Sequence, residues 1–140
     1  MASQHKVFID TSVFIRFFTH DDPEKYSDCK DFFRLIESGK LRPYTSNVVI
    51  LEIVYVLKQL YKFPLTDVIT ATKGIINIRN MTLIEKTNTP YALAVFEKVF
   101  IKYGDSLIAS QLPANTKLVT YDKEFTKLKK IATVEPKDFL

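Results

Sequence analysis

Four acidic residues stand in this sequence where carboxylates can do chemistry. Asp10 ends the apolar run Lys6-Val7-Phe8-Ile9, Glu52 interrupts the run from Val48 to Leu57, Asp105 follows Gly104, and Asp122 follows Lys117 to Tyr121. Glu52 is the only charge in its segment, and Lys58 and Lys62 fall on a separate line at about 100° per helical residue. A bare carboxylate on so apolar a helix costs several kcal/mol unless a buried cation or a polar pocket receives it. Gathered at one place, the four acids repel: two unit charges about 4 Å apart cost about 4 kcal/mol at an effective dielectric of about 20. A fold holds such a set by protonating some members or by binding a cation. Taken singly, Asp10, Asp105 and Asp122 each read first as a helix N-cap, a role worth about 1 kcal/mol. Only the assembly points to catalysis.

The available ligands are oxygens. Cys29 is the only cysteine, and His5 and His20 form no metal-binding pair. Hard ions, Mg²⁺ or Mn²⁺, suit such a set. An ion of this kind lowers the pKa of a water and neutralises charge on a phosphoryl group. The matching substrate is a phosphodiester, with lysines along its backbone.

These acids need a scaffold that brings distant segments to one edge. Lys6 to Ile9 reads as a buried strand, followed by helical spacing from Thr11 to Phe18. Asp22-Pro23-Glu24 opens a helix to about Ser38 with Gly39 as its stop, its core face being Tyr26, Cys29, Phe33 and Ile36. Pro43 to Ser46 reads as a second strand, with Ser46 or Asn47 capping a deeply packed helix from Val48 to Tyr61. Thr66 or Asp67 caps a helix to about Ile78, and Met81 to Ile84 is a third strand. Thr89-Pro90 opens a helix with the stripe Ala92, Val95, Phe96, Val99, Phe100 and Tyr103, stopped by Gly104. A short helix from Asp105 to Leu112, a strand from Lys117 to Tyr121, a basic helix from Asp122 to Lys130 and a small strand at Thr133-Val134 complete the chain. Strands alternating with helices predict an α/β fold: a central, mainly parallel sheet of four or five short strands with helices on both faces. In such sheets ligands bind outside the carboxyl ends of the strands, where the four acids fall.

Composition narrows the field. The chain has 140 residues, 46% hydrophobic and 26% charged, with a formal net charge of +4, which fits one globular domain spanning 1–140. The three glycines are too scattered for the common phosphate-cradling loops. No apolar run approaches the roughly 20 residues of a membrane helix. The first residues, MASQHKVFID, lack a secretory apolar segment, and the lone cysteine makes a reducing, cytoplasmic setting the expectation.

Four segments then carry a resemblance: Phe8-Ile9-Asp10-Thr11-Ser12, the stretch Leu51 to Leu57 around Glu52, Tyr103-Gly104-Asp105-Ser106-Leu107-Ile108-Ala109, and Thr120-Tyr121-Asp122-Lys123-Glu124-Phe125. In order and spacing they resemble the PIN domains, most closely the VapC-type toxins of toxin–antitoxin pairs, over Val7 to Phe139. The resemblance implies a three-layer α/β/α fold and an Mg²⁺- or Mn²⁺-dependent endoribonuclease with one or two ions. It also implies a homodimer restrained by a small antitoxin protein. It assigns Asp10 and Asp105 as main metal ligands, Glu52 as ligand or holder of a water, and Asp122 as the member that completes the cluster. Thr11 or Ser12 touches the water shell or a phosphate, and Thr120 orients the cluster.

Arg16, Lys58, Lys62 and the run Lys123, Lys127, Lys129 and Lys130 are candidate RNA contacts, the run reading more plainly as a solvated helix face. Two other readings share the same acids: a housekeeping RNA-processing nuclease, and a catalytically weak module for RNA binding or assembly. A phosphate-acceptor role for Asp10 is disfavoured, because Ser12 stands where aspartyl phosphatases need a second Asp.

Overall fold

The computed structural model describes residues 5–140. Strand β1 (His5–Ile9) leads into helices α1 (Thr11–Thr19) and α2 (Pro23–Glu37), then β2 (Leu41–Ser46). Helix α3 (Asn47–Tyr55) runs on into a π-helical turn at Val56–Leu60, followed by α4 (Leu65–Ile76) and β3 (Thr82–Ile84). Helices α5 (Thr89–Lys98) and α6 (Tyr103–Gln111) precede β4 (Thr116–Val119). A 3₁₀ turn at Lys123–Lys127, β5 (Thr133–Val134) and a 3₁₀ turn at Pro136–Phe139 end the chain.

The five strands form one sheet in the order β3-β2-β1-β4-β5, parallel throughout. Central β1 is fully buried at Val7, Phe8 and Ile9, the mark of a strand covered on both faces. Strand order runs outward from β1 to β3 and then restarts on the other side with β4. Helices α1, α2 and α4 line one shared cavity, while α5 packs on α6 and α6 meets α3. The reversal leaves a crevice between the carboxyl ends of β1 and β4, the switch point at which open α/β sheets bind ligands. Among the described residues no helix is long and apolar enough to cross a membrane.

Local signals fix several boundaries. The Asp22 side chain accepts the Lys25 N–H with Pro23 in the first turn, and Asn88 does the same for Tyr91 ahead of Pro90. Ser46 caps α3 through the Val49 N–H. Gly39, at φ +87°, ends α2: its N–H reaches the Ile36 carbonyl and the Lys40 N–H reaches Leu35. That pair of bonds is the Schellman arrangement that favours glycine.

The structure corrects five elements. Helix α2 turns Phe32 rather than Phe33 fully inward, beside Cys29 and Ile36. The segment from Val48 to Tyr61 is buried on one side only: Val49, Ile53 and Leu57 are inside, while Leu51 and Tyr55 stay exposed. Helix α4 starts at Leu65 after Pro64, so neither Thr66 nor Asp67 caps it. The helix from Thr89 stops at Lys98, where Val99 turns extended (φ −125°, ψ 130°). Phe100 swings into solvent at 92% exposure, Ile101 turns inward, and Tyr103 and Gly104 begin α6 instead of ending α5. The basic segment after Asp122 is a short 3₁₀ turn followed by irregular chain, not a helix to Lys130.

Candidate functional site

At the crevice, Asp10 leaves β1 with its N–H bonded to the Val119 carbonyl of β4 (3.0 Å). It occupies the N-cap position of α1 but makes no side-chain cap bond. Its Oδ2 instead accepts the hydroxyl of Thr120 (2.6 Å) and lies 3.1 Å from the hydroxyl of Ser12. Ser12 accepts the Tyr121 N–H (2.9 Å) and Thr120 accepts the Asp122 N–H (2.9 Å). Two hydroxyls therefore lace the loop after β4 to the first turn of α1 and fix the Asp10 carboxylate between them. Burial pushes the Asp10 carboxyl above its ordinary range. The bonds from Thr120, the Thr11 N–H and Ser12 oppose this, and the charge of Asp122 adds to it.

Glu52 reaches the same crevice from α3. Its Oε1 accepts the Thr11 hydroxyl (3.0 Å), and a methyl group added to Gly104 would lie 3.7 Å from its Oε2. Burial raises this carboxyl too; the Thr11 bond and Lys102 oppose the rise, and Asp10 and Asp122 add to it. No basic side chain is salt-bridged to Glu52 among the described residues, so a pocket and not a buried ion pair receives it.

Asp105 lies in the first turn of α6, three residues past the N-cap Lys102. Its Oδ2 is buried and has no hydrogen-bond partner among the described residues. Its carboxyl is pushed up to about 7, first by burial and then by the charges of Asp122, Asp10 and Glu52, with Lys102 opposing. Asp122 alone serves as a cap, accepting the Glu124 N–H (2.9 Å). All four acids, with Thr11, Ser12, Arg16 and Lys102, line one open pocket of ≈ 370 Å³. Thr120 lies buried behind it.

The pocket suits a hard divalent cation. Its donors are carboxylate and hydroxyl oxygens, one carboxylate oxygen is buried without a partner, and the repulsion among the acids is only partly offset by Lys102. No three His, Cys, Asp or Glu side chains among the described residues are already drawn into a metal cage.

Residues 7–131 match the PIN domain family. The chain belongs to the PIN domain family. PIN domains are nucleases. No curated protein matches the sequence. Solved structures share the fold at low identity. VapBC2 from Rickettsia felis, bound to a DNA fragment from its promoter, aligns with TM-score 0.64 at 17% identity over 93% of this chain and 98% of that one. VapBC-1 from nontypeable Haemophilus influenzae gives 0.66 at 15%, over 94% and 98%. A toxin–antitoxin complex from Klebsiella pneumoniae gives 0.61 at 16%, over 93% and 97%.

This PIN domain also brings to its pocket residues that sequence patterning does not single out. Lys25, Tyr61, Lys102 and Tyr121 line the wall, while Lys58 and Lys62 lie outside it and Lys123 lines a neighbouring cavity behind Asp122. Asp21, outside the pocket, holds two of the lining residues. It takes the Arg16 guanidinium (3.0 Å) and the Thr19 hydroxyl (3.0 Å) on Oδ1 and the Tyr61 hydroxyl (2.7 Å) on Oδ2. The Tyr61 bond, then Thr19 and Arg16, lowers the Asp21 carboxyl. Tyr61 follows the π-helical turn, and such turns often re-aim side chains at functional sites. The local signals are that Tyr121 lies within the Thr120-Tyr121-Asp122 stretch and Lys102 just ahead of the Gly104-Asp105 motif.

Proposed function

We propose that this PIN domain is an Mg²⁺- or Mn²⁺-dependent endoribonuclease, the toxin of a toxin–antitoxin pair. The observation that carries the reading is the buried, unpartnered Asp105 oxygen among three further acids, facing a pocket edged by Arg16, Lys25 and Lys102. A cation bound there supplies a more acidic water and neutralises phosphoryl charge. Asp10 and Asp105 are the main ligands in this reading, with Glu52 as ligand or holder of a water and Asp122 completing the set. Thr120 and Ser12 aim Asp10 and favour its ionised form against the effect of burial, and Thr11 does so for Glu52. Arg16 and Lys102 meet the phosphate whose ester bond water attacks in line, so the chain's cations bind the anion that its acids repel.

A restraining antitoxin and a second copy of the chain are part of the proposal. An apolar cavity of ≈ 270 Å³, with Phe14, Phe17, Phe18, Phe33 and Ile75 among its lining, supports an apolar partner segment. Exposed Leu51 and Tyr55 on α3 with Leu65 and Ile69 on α4 support a protein contact there. The structural neighbours solved as VapBC or toxin–antitoxin complexes are consistent with this.

The test incubates the purified protein with mixed single-stranded RNA plus Mn²⁺, Mg²⁺ or chelator, beside Asp10→Asn. Cleavage with either ion and none with chelator or the variant is expected. Equal cleavage in every tube, or none in any, overturns the proposal.

A further inference from the structure

Next to the active pocket lies a second concavity. Two cavities of ≈ 390 and ≈ 530 Å³ share Tyr91, Ala109, Lys130 and Ile131, and so form one groove between α5, α6 and the irregular segment after the 3₁₀ turn. Its floor is apolar, with Val95, Leu128 and Ile131 beside the ring of Tyr91, which is 46% exposed. Its rim carries Lys98, Lys117, Lys129 and Lys130, and no Asp or Glu lines either cavity. Among the described residues Lys98, Lys129 and Lys130 have no ion-pair partner. A row of free ammonium groups over an apolar floor matches a ligand with regular negative charge and flat apolar faces.

The groove is joined to the active pocket. Lys98 and Val99 line the groove and Lys102 lines the pocket, so only Phe100 and Ile101 stand between them, a step of about 10 Å along extended chain. On that ridge stands Phe100, 92% exposed between the inward Ile101 and the end of α5. Lys127 fixes the ridge by donating to the Phe100 carbonyl (3.0 Å), while its other contact is Glu124 (2.6 Å).

We propose that the groove between α5 and the Lys127–Ile131 segment binds single-stranded RNA flanking the scissile phosphate, with Phe100 and Tyr91 as stacking platforms and Lys98, Lys129 and Lys130 as phosphate contacts. The proposal deepens the nuclease reading and rests on it for the identity of the polyanion. Single-stranded RNA is favoured over duplex because only an unpaired base offers its face to an isolated ring. A protein partner is disfavoured because the rim would leave several ammonium groups facing it without an acid supplied by this chain.

The experiment measures binding by fluorescence anisotropy in chelator, where no cleavage occurs. The probe is a labelled single-stranded RNA of about 12 nucleotides, within the span of known single-strand sites. Lys129→Glu/Lys130→Glu and Phe100→Ala are each expected to weaken binding about tenfold or more, and the lysine pair is expected to lower the salt slope by about 2. In Mn²⁺ the same variants raise KM for this RNA and leave kcat within about twofold, as a binding role away from the chemistry requires. Affinity within twofold of wild type in both variants overturns the proposal. A loss of dimer in sedimentation with RNA affinity unchanged overturns it in favour of a chain–chain contact. Groove-dependent binding by a wild-type protein that cleaves nothing supports the groove and overturns the nuclease reading instead.

Discussion

The hydroxyl of Thr120 stands 2.6 Å from Oδ2 of Asp10, closing the gap between the carboxyl ends of β1 and β4 across 110 residues of sequence. It is the largest influence opposing the burial that raises the Asp10 carboxyl. Thr120→Val keeps the shape and removes both the donor to Asp10 and the acceptor of the Asp122 N–H. The loss of the buried hydrogen bond to the carboxylate costs about 1–3 kcal/mol, and the chain stays folded. Asp10 then ionises at higher pH, so the acid limb of the pH–rate profile moves upward and activity at pH 6 falls more than activity at pH 8. A profile displaced equally at both pH values contradicts the role given to this bond.

Asp105 titrates on folding in the unusual direction. Its carboxyl is at about 7 in the folded protein against an ordinary 3.8, because burial and then Asp122, Asp10 and Glu52 disfavour its charge. Between those two values the folded chain holds a proton that the unfolded chain has released. Stability therefore falls as pH rises through this window and levels off above about 7. Asp105→Asn removes that contribution, stabilising the cation-free protein at pH 8 by about 1 kcal/mol or more, roughly 4 °C in Tm. Thermal unfolding in chelator from pH 5 to 8 reads the effect directly. Added Mn²⁺ should raise Tm of the wild type by mass action and leave the variant nearly unmoved; an equal rise in both places the ion elsewhere.

Asp21 tests a different link, from packing to substrate affinity. It holds Arg16 and Tyr61 at the rim of the pocket while itself lying outside. Asp21→Asn keeps the size and weakens both bonds. Because the site is exposed, unfolding free energy should change by less than about 0.5 kcal/mol. KM for RNA is expected to rise about threefold or more with kcat little changed, the pattern of lost ground-state binding. A fall in kcat at constant KM would instead tie Asp21 to the chemical step.

The fold and the gathering of the four acids were legible because each rests on short-range signals. Val7 to Ile9 is an unbroken apolar strand, Asp22-Pro23 and Gly39 mark a helix at both ends, and strands alternating with helices leave few topologies. Burial was less legible. Leu51 and Tyr55 make the third helix apolar all round, yet hydrophobicity does not reveal whether a face meets its own core or a partner. The break at Val99 was hidden because Phe100 and Tyr103 continue the spacing of Ala92 and Val95; the extended Val99 wins by letting Ile101 turn inward at 7% exposure. Tyr61 and Asp21 carried no signal, since their bond spans 40 residues and depends on the π-helical turn.

Gly104 offers the sharpest steric test of how Glu52 is held. The residue lies in the first turn of α6 and its φ is not positive, so the backbone does not require glycine. A methyl group there would lie 3.7 Å from Glu52 Oε2, an ordinary contact. Gly104→Ala should therefore fold normally, with stability equal to wild type or higher by up to about 1 kcal/mol from the lost flexibility of glycine in a helix. Its activity should stay within a few-fold. Gly104→Val adds two branches beside the same carboxylate, which must swing away from Thr11 and the pocket. Cleavage is expected to fall at least tenfold while the circular dichroism spectrum stays native. If valine is as active as alanine, the Glu52 carboxylate does not need the position that Thr11 and Gly104 define.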